Sequence, residues 1–261
     1  MRVALTGGAT GIGAAVAAGL KAGGHEVTAF DITEPPANVD RWVRTDLSDP
    51  ASIVAAVEAA DGPYDALINN AGVPPRDRQA ELVLNVNFLG FRQFLRGMLD
   101  KLAPGAAIVN TASRAGACWR DNIDEVKALM ALESPDSLSA FIAERAIDHV
   151  RAYNLSKEAV IVLTMAETEE LIARELRMNS VSPAAVSTGI LDDFTAAFGE
   201  KVAKNIARAG RPGLPDEVAD VIVFLASPES RWLKGIDVTV DGGMGAMAVS
   251  DMMGLAGSDT G

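Results

Sequence analysis

The chain has 261 residues, 49% of them hydrophobic and 22% charged, which is enough for one large α/β domain with a buried core and excludes a mostly disordered protein. Its net charge of −12 argues against a nucleic acid partner, because an acidic surface repels the phosphate backbone. A single cysteine, Cys118, excludes an internal disulfide, and two histidines make a histidine-rich metal site implausible, so we expect no metal.

Short apolar runs alternate with helical stretches from the first residues onward. We predict strands over residues 3–5, 26–30, 66–68 and 107–110, and helices over residues 13–22 and 53–60. The strand segments are continuously apolar, which is typical of strands buried on both faces of a parallel sheet. Together with the alternation of strands and helices, this pattern predicts a doubly wound α/β fold.

Two segments depart from the alternation. Residues 117–151 carry apolar side chains at helical spacing, and Ser134-Pro135-Asp136 divides them into two predicted helices. Residues 244–261 are rich in Gly, Met and Ala. This second segment is either a flexible tail or a stretch whose apolar residues pack on a neighbouring subunit.

A glycine-rich loop, Thr6-Gly7-Gly8-Ala9-Thr10-Gly11-Ile12-Gly13, follows the first strand. A phosphate needs backbone N–H groups and a close approach of the main chain, which glycine permits, and the next helix presents its positive N-terminus. A glycine run alone is weak evidence. Its position between a strand and a helix is, however, the context that a dinucleotide site requires.

The residue that ends the second strand, Asp31, lies about 20 residues beyond the glycines, where an acidic side chain can accept hydrogen bonds from the adenosine ribose. The same carboxylate would repel a 2′-phosphate. No arginine or lysine lies inside the loop or directly after Asp31, where Ile32-Thr33-Glu34 follow. The sequence therefore favours NAD over NADP.

Further motifs follow in a fixed order: Asn69-Asn70-Ala71-Gly72, Val86-Asn87, Asn110-Thr111-Ala112-Ser113, Tyr153-Asn154-Leu155-Ser156-Lys157, Asn179-Ser180-Val181-Ser182-Pro183 ahead of Thr188, Arg211-Pro212-Gly213-Leu214-Pro215, and Val240-Asp241-Gly242-Gly243. With the glycine loop, they make the sequence resemble the non-extended branch of the short-chain dehydrogenase/reductase family over nearly its whole length. The resemblance implies a single Rossmann domain over residues 1–261, with a parallel sheet of about seven strands and a helical insertion before the catalytic helix.

The resemblance also implies which residues surround a bound NAD. Asp46 and Leu47 would contact the adenine, whereas Val186 and Thr188 would hold the nicotinamide amide. The full cofactor-binding set that it implies is Gly7, Thr10, Gly11, Ile12, Gly13, Asp31, Asp46, Leu47, Asn69, Ala71, Gly72, Tyr153, Lys157, Pro183, Val186 and Thr188.

Tyr153 and Lys157 are four residues apart, so a helix places them on one face. A carbonyl that receives hydride needs a proton, which a tyrosine can supply. We expect the Lys157 ammonium and a positive nicotinamide to lower the pKa of Tyr153 from about 10 towards about 7. Ser113 would hydrogen bond the substrate oxygen. By the resemblance, Asn87 would support a water that links Lys157 to solvent.

The sequence departs from the family pattern at two places. Ala184 stands where the family has glycine, at the start of the loop over the nicotinamide. The interval from Ser113 to Tyr153 is longer than usual, as in members of the family that resemble 3α-hydroxysteroid dehydrogenase/carbonyl reductase. This insertion, residues 117–151, is either a cap on the substrate cleft or a subunit interface.

Residues 189–210 are a second candidate for a substrate lid. The apolar contacts of such a lid would come from Ile190, Leu191, Phe194, Phe198 and Ile206. The alternative interpretation of this stripe is ordinary helix packing.

The leading hypothesis is an NAD(H)-dependent oxidoreductase that interconverts a secondary alcohol and a ketone, with a bulky hydrophobic substrate such as a hydroxysteroid or an aromatic or cyclic alcohol. The alternative is a catalytically silent NAD(H)-binding regulator or scaffold, which need not keep Asn87, Ser113, Tyr153 and Lys157 together. The resemblance implies a homodimer or homotetramer, formed through the helices that carry Asn87 and Tyr153. Since the sequence has no signal-peptide pattern and no uncharged apolar run near the roughly 20 residues of a membrane span, we expect a cytoplasmic protein without a membrane partner.

Overall fold

A seven-stranded sheet with the order β3-β2-β1-β4-β5-β6-β7 forms the centre of the computed structural model, which describes residues 1–255. All its neighbouring strands are parallel. The strands are β1 (Arg2–Thr6), β2 (Glu26–Asp31), β3 (Arg41–Arg44), β4 (Tyr64–Asn69), β5 (Leu102–Thr111), β6 (Arg177–Pro183) and β7 (Asp237–Val240). The predicted doubly wound parallel sheet of a Rossmann fold is confirmed.

Helices connect the strands and cover both faces of the sheet. They are α1 (Gly11–Ala22), α2 (Pro50–Ala59), α3 (Ala80–Leu84), α4 (Phe91–Met98), α5 (Ile123–Met130), α6 (Leu138–Arg145), α7 (His149–Ala166), α8 (Thr168–Ala173), α9 (Leu191–Phe198), α10 (Glu200–Ala209), α11 (Pro215–Ala226) and α12 (Met244–Met253). A π-helical turn, Asn85–Gly90, joins α3 to α4.

Successive strand residues point to opposite faces of the sheet, and two apolar cores result. Val3 and Leu5 of β1 belong to the core under α1 and α11, which includes Leu20 and Ile222. Ala4, between them, belongs to the other core, under α2, α4 and α7. Because both faces are covered, a continuously apolar strand is favoured over an alternating one, as the sequence indicated.

Several element boundaries differ from the sequence prediction. Helix α2 begins at Pro50, three residues early, because Asp49 accepts a hydrogen bond from the Ala51 N–H (2.9 Å) and proline suits a first helical position. Strand β3 was not predicted, since its sequence, Arg-Trp-Val-Arg, has a charge at each end. Short strands with charged residues are typical of a sheet edge, which is where β3 lies.

The insertion, residues 117–151, contains the two predicted helices, α5 and α6, separated by a 3-10 turn at Pro135–Ser137. Helix α5 packs against α7, and α6 packs against α3. The apolar side chains that the insertion buries in the core are Val126, Leu129, Leu138, Phe141 and Ile147. The apolar stripe is therefore used largely for packing within the chain, which neither sequence interpretation assumed.

The C-terminal segment is helical over Met244–Met253, so the first part of the suggested flexible tail is regular structure. The remainder of that tail, residues 256–261, lies outside the described residues. Asp241 anchors the start of α12, because its carboxylate accepts hydrogen bonds from the N–H groups of Gly243 and Gly245. Among residues 1–255, no helix combines the length and apolar character needed to cross a membrane.

Candidate active site

The glycine loop between β1 and α1 is closed so tightly that Gly7 and Gly13 leave no room for a side chain. Gly7 and Gly11 have φ angles of +72° and +57°, and a Cβ on Gly13 would lie 1.8 Å from the Gly7 carbonyl oxygen. The first N–H groups of α1 have no intrahelical acceptor, and the side chain of Thr10, its N-cap residue, does not cap them. This loop can therefore offer its backbone to a phosphate, as the sequence predicted.

Two polar residues join the loop to β4, although the sequence analysis gave neither of them a role. The Thr6 hydroxyl oxygen accepts hydrogen bonds from the N–H groups of Asn70 (3.0 Å) and Ala71 (3.1 Å). Asn70 donates through Nδ2 to the Gly7 carbonyl (3.1 Å). Both residues lie inside motifs of the sequence, at the ends of adjacent parallel strands. This position could have indicated that the two residues contact each other.

Asn69 is buried at the end of β4, and its Nδ2 donates to Asn110 Oδ1 (3.0 Å) on β5. Its own Oδ1 is buried without a hydrogen-bond partner among the described residues. A buried acceptor without a donor is uncommon and often marks a site that a ligand or water completes. Asn69 directly precedes Asn70 and Ala71, whose N–H groups donate to Thr6 at the start of the glycine loop.

The predicted ribose-binding carboxylate stands at the rim of the loop. Asp31 Oδ2 accepts a hydrogen bond from the Ala9 N–H (2.9 Å), and Oδ1 accepts one from the Thr33 N–H (3.0 Å). Asp46 is used differently, because its Oδ1 accepts from the Ser48 N–H (2.8 Å) and hydroxyl (2.6 Å) within a turn. Leu47 is buried in the core beside this turn.

The chain after β6 returns over the glycine loop. Val186 forms a bridge with Gly213, and the Thr188 methyl carbon lies 3.4 Å from where a Gly11 Cβ would be. Pro183, the last residue of β6, directly precedes this loop. Ala184, in place of the family glycine, does not adopt a left-handed conformation and donates its N–H to the Val240 carbonyl (3.1 Å), so the alanine fits without backbone strain.

Tyr153 and Lys157 lie on one side of α7, and each is only 6% exposed. The Lys157 ammonium donates to the Thr111 carbonyl (2.9 Å) at the end of β5 and is 5.8 Å from the centroid of the Tyr153 ring.

Ser113 begins a 3-10 turn, Arg114–Gly116, and its hydroxyl oxygen accepts from the Ala115 N–H (3.1 Å). The absence of a side chain at Gly116 lets this turn contact α7, since a Cβ there would lie 2.8 Å from the Lys157 carbonyl carbon.

Asn87 is buried in the π-helical turn, a type of irregularity that is frequent at functional sites. Its amide accepts a hydrogen bond from the Val73 N–H (2.8 Å) and donates to the Val73 carbonyl (3.0 Å). A Cβ on Gly72 would lie 3.1 Å from Asn87 Oδ1 and 3.6 Å from Lys157 Nζ, so the two side chains meet at Gly72. The water relay suggested for Asn87 stays a prediction.

Burial governs the acid–base properties of the pair. It raises the pKa of Tyr153 to about 12 and lowers the pKa of Lys157 to about 8, because each charged form loses hydration. Hydrogen bonding with Ser113 opposes the rise at Tyr153. The sequence predicts a lowered pKa for Tyr153, produced by the Lys157 ammonium together with the positive nicotinamide of a bound cofactor. In the protein by itself the pKa is raised instead, because burial removes water from the phenolate.

An aromatic cluster covers Tyr153. The Phe194 ring of α9 meets the Tyr153 ring edge to face at 5.2 Å, and Phe198 lies at 6.3 Å from the same ring. The two phenylalanine rings are stacked on each other at 6.3 Å. Of the apolar residues predicted to line a lid over residues 189–210, these two are therefore placed against Tyr153.

The chain is similar to known proteins over nearly its whole length. A family profile described as "short chain dehydrogenase" matches residues 2–122, and one described as "Enoyl-(Acyl carrier protein) reductase" matches residues 137–245. Coniferyl-alcohol dehydrogenase of a Pseudomonas species is 35% identical, with 95% of this chain and 98% of that protein covered. The 3-alpha-hydroxysteroid dehydrogenase/carbonyl reductase of Comamonas testosteroni is 28% identical, with 94% and 96% covered.

A solved structure agrees with these similarities. The 3-alpha-hydroxysteroid dehydrogenase of Pseudomonas sp. B-0831, in complex with NADH, superposes with a TM-score of 0.82 at 32% identity, and 95% of this chain and 98% of that chain are covered. The 35% identity over nearly the full length and the matching family profile show the family of this chain. The chain belongs to the short-chain dehydrogenase/reductase family of oxidoreductases.

Proposed function

We propose that the protein is an NAD(H)-dependent dehydrogenase that interconverts a secondary alcohol and a ketone. The observation that carries this proposal is the burial of Tyr153 and Lys157 side by side on α7, next to Ser113 and at the same sheet edge as the glycine loop. In open parallel sheets, ligands bind outside the carboxyl ends of the strands, and these residues all follow such ends or face them.

The loop geometry fits a dinucleotide. The glycines let the loop close tightly in front of the N-terminus of α1, whose free N–H groups would receive a pyrophosphate, and the carboxylate of Asp31 accepts a hydrogen bond from the same loop, where ribose hydroxyls would donate to it. Asn69 Oδ1, which has no hydrogen-bond partner among the described residues, lies at the end of β4, next to the end of β1 from which the loop starts. When bound there, the nicotinamide supplies hydride to a ketone and takes it from an alcohol.

Asp31 makes the cofactor preference testable. We expect wild-type protein to have a far higher kcat/KM with NAD than with NADP, because the carboxylate repels a 2′-phosphate. Replacement of Asp31 with Ser should narrow that ratio by at least about tenfold, since a buried or half-buried charge opposed to a phosphate costs more than about 1.4 kcal/mol. Equal efficiency with both cofactors in the wild type would refute this role.

Side chains of the protein itself supply the transferred proton and stabilise the charge that it leaves. With its pKa raised by burial, Tyr153 is neutral at physiological pH and can donate its hydroxyl proton to a substrate oxygen that gains negative charge. Ser113 can hydrogen bond the same oxygen. Lys157, with a pKa near 8, is largely protonated at neutral pH and stabilises the phenolate that remains.

The substrate that we propose is bulky and hydrophobic, such as a hydroxysteroid or an aromatic or cyclic alcohol. Phe194 and Phe198 give the cleft an aromatic wall next to Tyr153, and aromatic walls favour apolar ring systems. The names of the relatives, which include a coniferyl-alcohol dehydrogenase and a 3-alpha-hydroxysteroid dehydrogenase, support the same class.

A panel of hydroxysteroids, cyclic alcohols and aromatic alcohols, followed by NADH absorbance, tests the proposal. Replacement of Tyr153 with Phe should lower kcat by about 100-fold or more with NADH affinity retained, because only the transferable proton is removed. Replacement of Tyr64 with Phe is the matched control, because Tyr64 is the other tyrosine of the chain and is also buried. NADH binding without turnover of any substrate would favour the silent regulator, and unchanged turnover in Tyr153→Phe would refute the mechanism.

We also propose a homodimer or homotetramer in the cytoplasm. Because α5 packs on α7 within the chain, an interface through α7 would have to form beside the insertion. A single cysteine, exposed and unpaired, suits a reducing compartment. Light scattering of the purified protein and fractionation of cells test the two statements, and a monomer would contradict the first.

A further inference from the structure

An ion pair joins the chain after β4 to helix α9. Arg76, in the chain after β4, donates through Nε to Asp193 Oδ1 (3.0 Å) and through Nη2 to Asp193 Oδ2 (2.9 Å). Asp193 lies on α9, so the pair joins two segments that are 117 residues apart in sequence. The two parallel hydrogen bonds form a bidentate contact, which sets the orientation as well as the distance of the partners.

Both ends of this pair lead to the catalytic centre. On α9, Asp193 is directly followed by Phe194, whose ring contacts Tyr153 at 5.2 Å. On the other side, the chain that carries Arg76 is fixed at Val73, whose N–H donates to Asn87 Oδ1 and whose carbonyl accepts from Asn87 Nδ2. The ion pair thus connects a segment anchored in the catalytic core to the helix that covers Tyr153.

We propose that Arg76 and Asp193 are positioning residues for substrate recognition, and that their ion pair holds α9 so that Phe194 forms the wall of the substrate site against Tyr153. The role of Phe194 as a substrate wall rests on the proposed dehydrogenase function. The clamp on α9 itself does not depend on it.

The ion pair is weak enough for α9 to move away from the site at each turnover. Arg76 is half exposed and Asp193 is partly exposed, so water and salt screen the pair. An exposed ion pair changes an equilibrium by up to about fivefold, and a bidentate pair lies towards the upper end of that range. That is enough to bias α9 towards the closed position, while substrate and product can still exchange by opening of the lid.

The test compares Arg76→Gln, Asp193→Asn and the charge-reversed double variant Arg76→Asp with Asp193→Arg. Asp192→Asn is the matched control, because this neighbour on α9 is exposed and has no ion pair or side-chain hydrogen bond among the described side chains. Two quantities are measured for each variant: amide hydrogen exchange over residues 191–198, and KM and kcat for the best substrate of the panel, at low and at high salt.

We expect each single variant to exchange about threefold to fivefold faster over residues 191–198 and to raise KM by a similar factor with kcat nearly unchanged. High salt should produce the same change in the wild type, and the reversed pair should restore wild-type values. Unchanged exchange in the single variants, equal effects in Asp192→Asn, or failure of the reversed pair to restore exchange would overturn the clamp. Faster exchange with an unchanged KM would overturn the role in recognition.

The two proposals fail separately. If the protein turns over no substrate, the dehydrogenase function fails, and hydrogen exchange still decides whether the Arg76–Asp193 pair holds α9. If turnover is found and exchange does not respond, the function stands and the clamp is refuted.

Discussion

Replacement of Lys157 with Met should stabilise the fold at neutral pH while it removes activity. In the folded protein, burial lowers the pKa of this lysine from 10.5 to about 8, so the folded chain binds its proton less tightly than the unfolded chain does. At about 1.4 kcal/mol for each pH unit, the buried ammonium costs about 3 kcal/mol of unfolding free energy below pH 8. Methionine fills similar space without that charge.

The pH dependence identifies the cause. Between the folded pKa near 8 and the unfolded pKa near 10.5, the unfolded state holds more protons, so the stability of the wild type rises with pH across this window. The destabilisation of the fold by the buried lysine therefore falls from about 3 kcal/mol near pH 7 to about 1 kcal/mol near pH 10. Loss of the hydrogen bond to the Thr111 carbonyl subtracts a pH-independent amount of about 1–3 kcal/mol from the gain.

Urea unfolding of both proteins at several pH values measures this difference. We expect the advantage of Lys157→Met over the wild type to shrink by about 2 kcal/mol between pH 7 and pH 10. Lys127→Met, which removes an exposed charge on α5, is the control and should give a flat difference. A flat difference for Lys157→Met would refute the assignment of a desolvated ammonium at this site.

Two further substitutions test the structural supports of the site. Replacement of Arg151 with Gln should lower the free energy of unfolding by about 3 kcal/mol in urea unfolding, because Glu158, which is 1% exposed, loses its charged partner. The control is Arg174→Gln, which breaks an exposed ion pair with Asp100 and should lower the free energy of unfolding by less than about 1 kcal/mol. An equal loss at both positions would contradict this reasoning. Replacement of Gly13 with Ala should weaken NADH binding by about tenfold or more in a fluorescence titration, since its Cβ would collide with the Gly7 carbonyl, while Gly19→Ala on the same helix should bind normally.

The sequence predicted much of the fold because each signal was local. The parallel sheet followed from continuously apolar strands, and the nucleotide loop followed from Gly7, Gly11 and Gly13, whose positive φ angles or close contacts admit no side chain. The division of the insertion at Ser134-Pro135-Asp136 was also correct, since Ser134 caps a new 3-10 turn and proline suits its first position. The edge strand β3 escaped prediction because exposed edges carry charges that mask the apolar signal.

The tertiary structure decided what depends on residues far apart in the chain. The pKa direction of Tyr153 depends on the desolvation that the fold imposes, and no spacing rule reports desolvation. The packing of α5 on α7 and the Arg76–Asp193 contact over the site likewise depend on which surfaces the fold brings together. By itself, the sequence determined the chemical groups and their order, since glycine conformation, helical spacing and apolar periodicity are local properties. Only the fold determined their burial, partners and charge states, because these are set by contacts between distant segments.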